Sequence, residues 1–233
     1  MGQKPLKLYA IPYGCSMATE VSLMDADVEH EIAWVNRVTG RVEGDVFSKV
    51  NPMAAVPTLE LGDGEILTEN VAVLLYVAEI NPAANLAPAV GSRERMRLHE
   101  WLSFVATEVH KQILWPYFNY DPVTHRRGSK TASPGFGHDE YKRFMNDLIR
   151  ERFDVLENHL RMRPYLVGES FTVADAYLTW ALFLSRLRKI VDLQPWPAVS
   201  AYLERNSARS SVQKAIEIQA AARSELMRQP APT

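Results

Sequence analysis

Residues 6–25 read LKLYAIPYGCSMATEVSLMD, and the punctuation of this stretch decides the fold. Leu6-Lys7-Leu8-Tyr9-Ala10-Ile11 reads as a strand, and Pro12 and Gly14 stop it. From Ser16 to Asp25 the pattern becomes helical, with Met17, Val21 and Met24 on one face. A strand handing over to a helix across one tight turn predicts a βα unit, and Cys15 stands at the handover. Helix starts leave N–H groups unpaired and carry the positive end of the helix dipole. A thiolate at Cys15 is therefore expected to be stabilised below the ordinary thiol range. A buried, inert cysteine is the other reading of the same position.

Working outward, His30 to Val35 reads as a second strand. Asn36 to Val50, interrupted by Gly40 and Gly44, reads as a less regular helical stretch. Pro57–Leu61, Gly62-Asp63-Gly64 and Glu65–Leu67 predict a hairpin, because a Gly-flanked Asp accommodates positive backbone angles between strands. Glu69 to Ile80 is apolar almost all round, which predicts a buried helix. The order is βαβαββα. After Ser92 the strand pattern disappears, and Arg93–Tyr117, Tyr141–Met162, Val173–Ile190, Trp196–Arg205 and Ser211–Met227 read as helices. The fold class is α/β plus all-α, divided into residues 1–82 and 92–228 with 83–91 (AANLAPAVG) as linker. Residues 119–138 read as a long polar loop.

Composition narrows the function. The 233 residues are 47% hydrophobic and 23% charged, enough apolar material to build a core. The net charge of -2 gives no basic surplus for nucleic acid. Residues 1–85 hold 5 basic and 12 acidic side chains, and residues 86–233 hold 21 and 16, which supports two domains. The longest apolar run, Val71 to Ala78, falls far short of the roughly 20 residues of a membrane span. The opening MGQKPLKLYAIPYG lacks the apolar core of a secretory signal, and a lone cysteine fits a reducing compartment.

Several groups of residues could carry chemistry. His99, Ser103, Thr107 and His110 are spaced to share one helix face, which suits the wall of a polar cleft or an interhelical seam. No Asp, Glu or Cys joins these histidines at ligand spacing, so no metal is expected. A cis bond at Val56-Pro57 would leave the Val56 backbone free to pair with an extended peptide; a trans bond at a strand start is the alternative. Glu69 and Asn70 open the apolar helix, either as a cap or as a holder for an amino-acid zwitterion. Thr172 to Asp175 is a capping box, so replacing Asp175 should harm folding before chemistry. Trp115, Tyr117, Phe118 and Tyr120 suit a core or an apolar substrate pocket.

In this order LYAIPYGCS, VNPMAAVPTLELGDGEILTEN, FVATEVHK and GESFTVADAYL resemble the cytosolic glutathione transferases, the bacterial beta class above all. The resemblance implies a thioredoxin-like N-terminal domain, an all-helical C-terminal domain, a homodimer and a cytoplasmic location. It implies a transferase that joins the glutathione thiolate to small hydrophobic electrophiles, with glutathione as co-substrate and no metal, nucleic acid or membrane partner. Cys15 then corresponds to the cysteine at the glutathione sulfur, and Val56, before cis Pro57, to the backbone partner of the cysteinyl unit. Glu69 and Asn70 correspond to the γ-glutamyl binders, and Ser103, Thr107 and His110, with Lys111 beside them, to the helical domain's share. Cys15 and His110 are the expected catalytic residues, His110 as a hydrogen-bond partner of the sulfur or as a proton relay. Ser103 stands where this class often has asparagine. Arg37 or Arg41 would serve the glycyl carboxylate, and the 119–138 loop would cover the electrophile pocket. Thiol–disulfide exchange through Cys15 and a noncatalytic interaction module are the competing functions.

Overall fold

Short apolar runs divided by turn formers build a mixed sheet before residue 70, and helices follow. The computed structural model describes residues 4–114 and 138–228. Strand β1 (Leu6–Ala10) leads into helix α1 (Ser16–Asp25), and β2 (His30–Trp34) returns parallel to β1, with Leu6 opposite His30 and Ala10 opposite Trp34. A parallel pair needs a crossover, and α1 supplies it. β5 (Thr58–Glu60) and β6 (Ile66–Thr68) complete a sheet of order β2-β1-β5-β6, both added antiparallel. Helix α2 (Asn70–Ile80) closes this half. This is the thioredoxin-like arrangement expected, with one local difference.

That difference lies between β2 and β5. In place of a second helix there is a small hairpin, β3 (Arg41–Val42) with β4 (Asp45–Val46), and a single 3-10 turn at Phe47–Lys49. Asn36 Oδ1 accepts from the N–H groups of Val38 and Thr39, and Gly40 and Gly44 take φ of 67° and 86°. Local side-chain bonds and two left-handed glycines outcompete helix there. Phe47, 1% exposed, tucks under the sheet with Tyr9, Ala33, Val35 and Val42.

The helical half comprises α3 (Arg93–Phe104), a π-helical continuation (Val105–Leu114), α4 (His138–Leu160), α5 (Val173–Leu187), α6 (Pro197–Ser207) and α7 (Ser210–Arg228). α5 is its axis. Val173 to Leu182 are buried without a break. Glu157 of α4, 3% exposed, accepts from the backbone N–H groups of Ala198 and Val199 and so caps α6 from a neighbouring helix. Glu157→Ala is expected to destabilise by about 1–2 kcal/mol, measured as a shift in the urea midpoint.

α1 lies between the halves, packed on β1 and α2 on one side and on α5 and α7 on the other. Every residue from Ser16 to Leu23 is buried, including Ser16, Thr19, Glu20 and Ser22. The one-sided helix read from Met17, Val21 and Met24 is therefore covered on its polar side too. α2 departs in the other direction. Val73, Leu74 and Val77 are buried, but Val71, Leu75 and Tyr76 form a half-exposed apolar strip. Among the described residues no helix is long and apolar enough to cross a membrane.

Candidate active site

The sequence builds a meeting point from two helix starts and one turn. Pro12 and Gly14 force the chain to reverse before α1: Gly14 N–H donates to Ile11 O at 2.8 Å, and a Cβ on Gly14 would meet that oxygen at 2.9 Å. This sets Cys15 at the N-terminus of α1, where its Sγ–H donates to Val56 O at 3.0 Å. The Val56–Pro57 bond is cis. At the start of α2, Glu69 takes φ 68°, ψ 119°, a conformation uncommon for any residue but glycine. Asn70 beside it accepts from Thr19 Oγ1 of α1 at 3.1 Å, which ties the two helix starts together. Asn70 Nδ2 is buried without a hydrogen bond of full geometry.

From the helical half, His110 and Tyr177 reach the same place. His110 Nδ1 is 2.7 Å from the Tyr177 hydroxyl, with the ring of Trp180 edge-on at 4.8 Å. Burial and the neighbouring Lys111 charge push His110 down to about 3. It is therefore a neutral imidazole at any physiological pH, and the proton-relay role does not suit it. Burial, and next the Cys15 charge, raises the Tyr177 hydroxyl well above the ordinary phenol range, while Asn70 lowers it. Tyr177 thus bonds His110 and lies near enough to Cys15, Glu69 and Asn70 to be influenced by them.

The expectation of a stabilised Cys15 thiolate is corrected. Cys15 is 8% exposed, and burial pushes its thiol up to about 12. The Lys111 charge and the N–H groups of Cys15 and Ser16 pull it down, Glu69 pushes it up, and desolvation wins. The helix start is present; its field is smaller than the loss of water. Cys15 is a neutral thiol that donates, with the buried surroundings of the alternative reading.

The polar stripe is also rearranged. The α-helix ends at Phe104 and the chain continues π-wound, so spacing by 3.6 no longer holds. His110 turns inward, while Ser103 and Thr107 are exposed. The Thr107 hydroxyl donates to Ser103 O and bonds the Glu108 carboxylate, which Arg152 of α4 holds at 3.0 Å. His99 is apart, accepting from the Arg95 guanidinium. The structure thus brings together Cys15, Val56, Pro57, Glu69, Asn70 and His110, and leaves Ser103 and Thr107 without a bond to them. Arg37 and Arg41 are exposed, and Arg41 donates to Gly44 O within its own hairpin. Trp115, Tyr117, Phe118, Tyr120 and residues 119–137 of the long loop lie outside the described residues. Tyr177 was missed, and Lys111 was read only as a neighbour. The available signal was Tyr177 on a mainly apolar helix, since a buried phenol needs a partner. Among the described residues no group of three or more His, Cys, Asp or Glu could hold a metal.

Comparison with known proteins places this arrangement. The description "Glutathione S-transferase, N-terminal domain" matches residues 14–80, and "Glutathione S-transferase, C-terminal domain" matches residues 110–210. Glutathione S-transferase GstA of Escherichia coli O157:H7 is 31% identical over 212 residues, covering 91% of this chain and 97% of that protein. A sphingomonad glutathione S-transferase solved in complex with glutathione superposes with a TM-score of 0.79 at 34% identity, over 92% of this chain and 98% of that one. The bacterial beta class glutathione S-transferase of Sphingomonas chungbukensis gives 0.78 at 34%, over 91% and 98%. Matched in both halves and along nearly its whole length, the chain belongs to the glutathione S-transferase family.

Proposed function

We propose that this transferase binds glutathione along the line from Glu69 to Cys15 and directs its sulfur at a small apolar electrophile held by the helical half. The carrying observation is that the start of α1 is tied both to the cis turn, through Cys15 Sγ to Val56 O at 3.0 Å, and to the start of α2, through Thr19 Oγ1 to Asn70 Oδ1 at 3.1 Å. Glu69 and the buried Nδ2 of Asn70 suit the charged and polar ends of a γ-glutamyl group. The strained φ at Glu69 supports a binding role, since such conformations gather at ligand clamps. The cis turn leaves the Val56 backbone facing Cys15, where an extended cysteinyl unit can pair with it. The sphingomonad relative, solved with glutathione, supports this ligand.

In this reading the thiolate belongs to glutathione and not to the protein. With the Tyr177 hydroxyl donating to His110 Nδ1, the neutral imidazole carries its proton on Nε2 and can donate it to an anionic sulfur. Cys15 offers a second donor when its S–H turns from Val56 O to the bound sulfur, and Lys111 a nearby positive charge that acts on the Cys15 position. Donors aimed at a charged nucleophile in a dry site favour its ionised form. Thiol–disulfide exchange fits less well, because its attacking group would be a Cys15 thiolate that burial opposes. A homodimer and a cytoplasmic location belong to the same reading; the half-exposed strip Val71, Leu75 and Tyr76 supports the first.

The test is titration calorimetry with glutathione, followed by conjugation of an activated chloronitrobenzene. Binding at micromolar to millimolar glutathione is expected, and none at 10 millimolar (about a hundredfold excess over protein) would sink the proposal. Tyr177→Phe is expected to lower kcat by about tenfold, with the KM for the electrophile unchanged. An inflection in the pH–rate profile should follow the ionisation of bound glutathione, read directly as thiolate absorbance, and not that of His110, which burial holds at about 3.

A further inference from the structure

Tyr13, two residues before Cys15, has φ 61°, in the left-handed region that a bulky residue rarely occupies. The peptide on each side of its Cα is held by a side chain from the helical half. Its N–H donates to Gln219 Oε1 of α7 at 2.6 Å, and its carbonyl accepts from Trp180 Nε1 of α5 at 3.1 Å. Its ring lies between Phe183 of α5 and the Arg223 guanidinium of α7. Gln219 is itself fully buried, and its Nε2 donates to the Glu20 carboxylate of α1, also fully buried. The Tyr13 N–H can only donate, so the amide oxygen faces Tyr13 and its nitrogen faces the Glu20 carboxyl, which burial raises to about 7 and whose Oε2 accepts.

We infer that Gln219, held by Glu20, is a positioning residue for the turn at Tyr13–Cys15, so that α7 sets where the Cys15 thiol and the glutathione sulfur stand. The inference deepens the proposed function and rests on it for the second half of that statement. A left-handed tyrosine relaxes toward ordinary angles unless its neighbours over-determine it. Two hydrogen bonds, one on each flanking peptide, provide that constraint. Loss of the Gln219 bond frees the Tyr13 N–H, and the Cys15 Sγ to Val56 O contact loosens with it. Glu20 touches neither the thiol nor the turn and acts only through Gln219.

Three readouts test this, two of which do not involve glutathione. In Gln219→Leu the rate of Cys15 alkylation should rise about tenfold as the thiol leaves its buried bond. The KM for glutathione should rise about tenfold while the KM for the electrophile stays within about twofold, a split that general loosening does not produce. The exchanged pair Glu20→Gln with Gln219→Glu keeps an acceptor for Tyr13 and a donor–acceptor contact between the helices, so it should return both values to within about threefold of the native ones. Hydrogen exchange on the native protein covers the case in which Gln219→Leu does not fold: the Tyr13 amide should exchange as slowly as the buried amides of α7. Fast exchange at Tyr13, or a folded Gln219→Leu with native alkylation and native KM, overturns the inference. Altered alkylation in a protein that binds no glutathione in any form would leave the clamp standing and remove the proposed function instead.

Discussion

Asp175→Ala is expected to destabilise the protein by about 4 kcal/mol or more, most of the margin of an ordinary domain. One fully buried carboxylate serves four donors: the backbone N–H groups of Leu166 and Thr172, and the hydroxyls of Thr172 and Tyr202. Truncation leaves these groups buried, and an orphaned buried donor costs about 1–3 kcal/mol. The bonds join the loop before α5, the start of α5 itself and α6, so three elements lose their anchor together. Tyr202 is fully buried and cannot turn to water. Asp175→Asn keeps one acceptor and should lose about half as much. Equilibrium urea unfolding reads both. A midpoint within experimental error of the native one in Asp175→Ala would refute the argument. Because Asp175 makes no bond to the Cys15–His110 cluster, glutathione KM in whatever protein remains folded should stay native.

Alkylation of Cys15 by iodoacetamide at neutral pH should run about three orders of magnitude slower than that of a free thiol. The magnitude follows from the thiol lying near 12 instead of near 9. The thiolate is the reacting species, so each pH unit below the group's own value lowers the rate about tenfold. Burial raises the folded value, so the folded chain holds its proton above pH 9 where the unfolded chain releases it. The rate should therefore climb until about pH 12, and folding stability should fall over the same interval. Cys15 is the sole cysteine, so intact mass follows this site without ambiguity. The same property predicts the outcome of Cys15→Ala: conjugation kept within about tenfold, since a donor to the sulfur is lost but no nucleophile. Rapid alkylation at pH 7, or abolished conjugation with native glutathione binding, would return Cys15 to the role of reacting group.

Local signals in the chain were sufficient for much of this. Pro12, Gly14 and Cys15 announced the β1–α1 turn, Gly62-Asp63-Gly64 the hairpin and Thr172–Asp175 the cap, because each is settled by residues within a few positions. Cys15, Val56, Glu69, Asn70 and His110 do come together in space. What failed to read through depends on partners far away in sequence. The acidity of Cys15 is decided by burial, which no spacing encodes. The polar side of α1 looks solvent-facing until α5 and α7 cover it. Thr107 parted from His110 because the helix changes its winding at Val105. Residues 36–50 misled because Asn36 bonds its own backbone neighbours, a choice that composition cannot weigh against helix.

The Tyr13–Gln219 bond joins residues 206 positions apart. Ribosomes deliver the amino end first. The thiol-bearing corner therefore waits for residue 219: a growing chain can assemble its sheet early, yet the Tyr13 amide finds its acceptor only after α7 has been made.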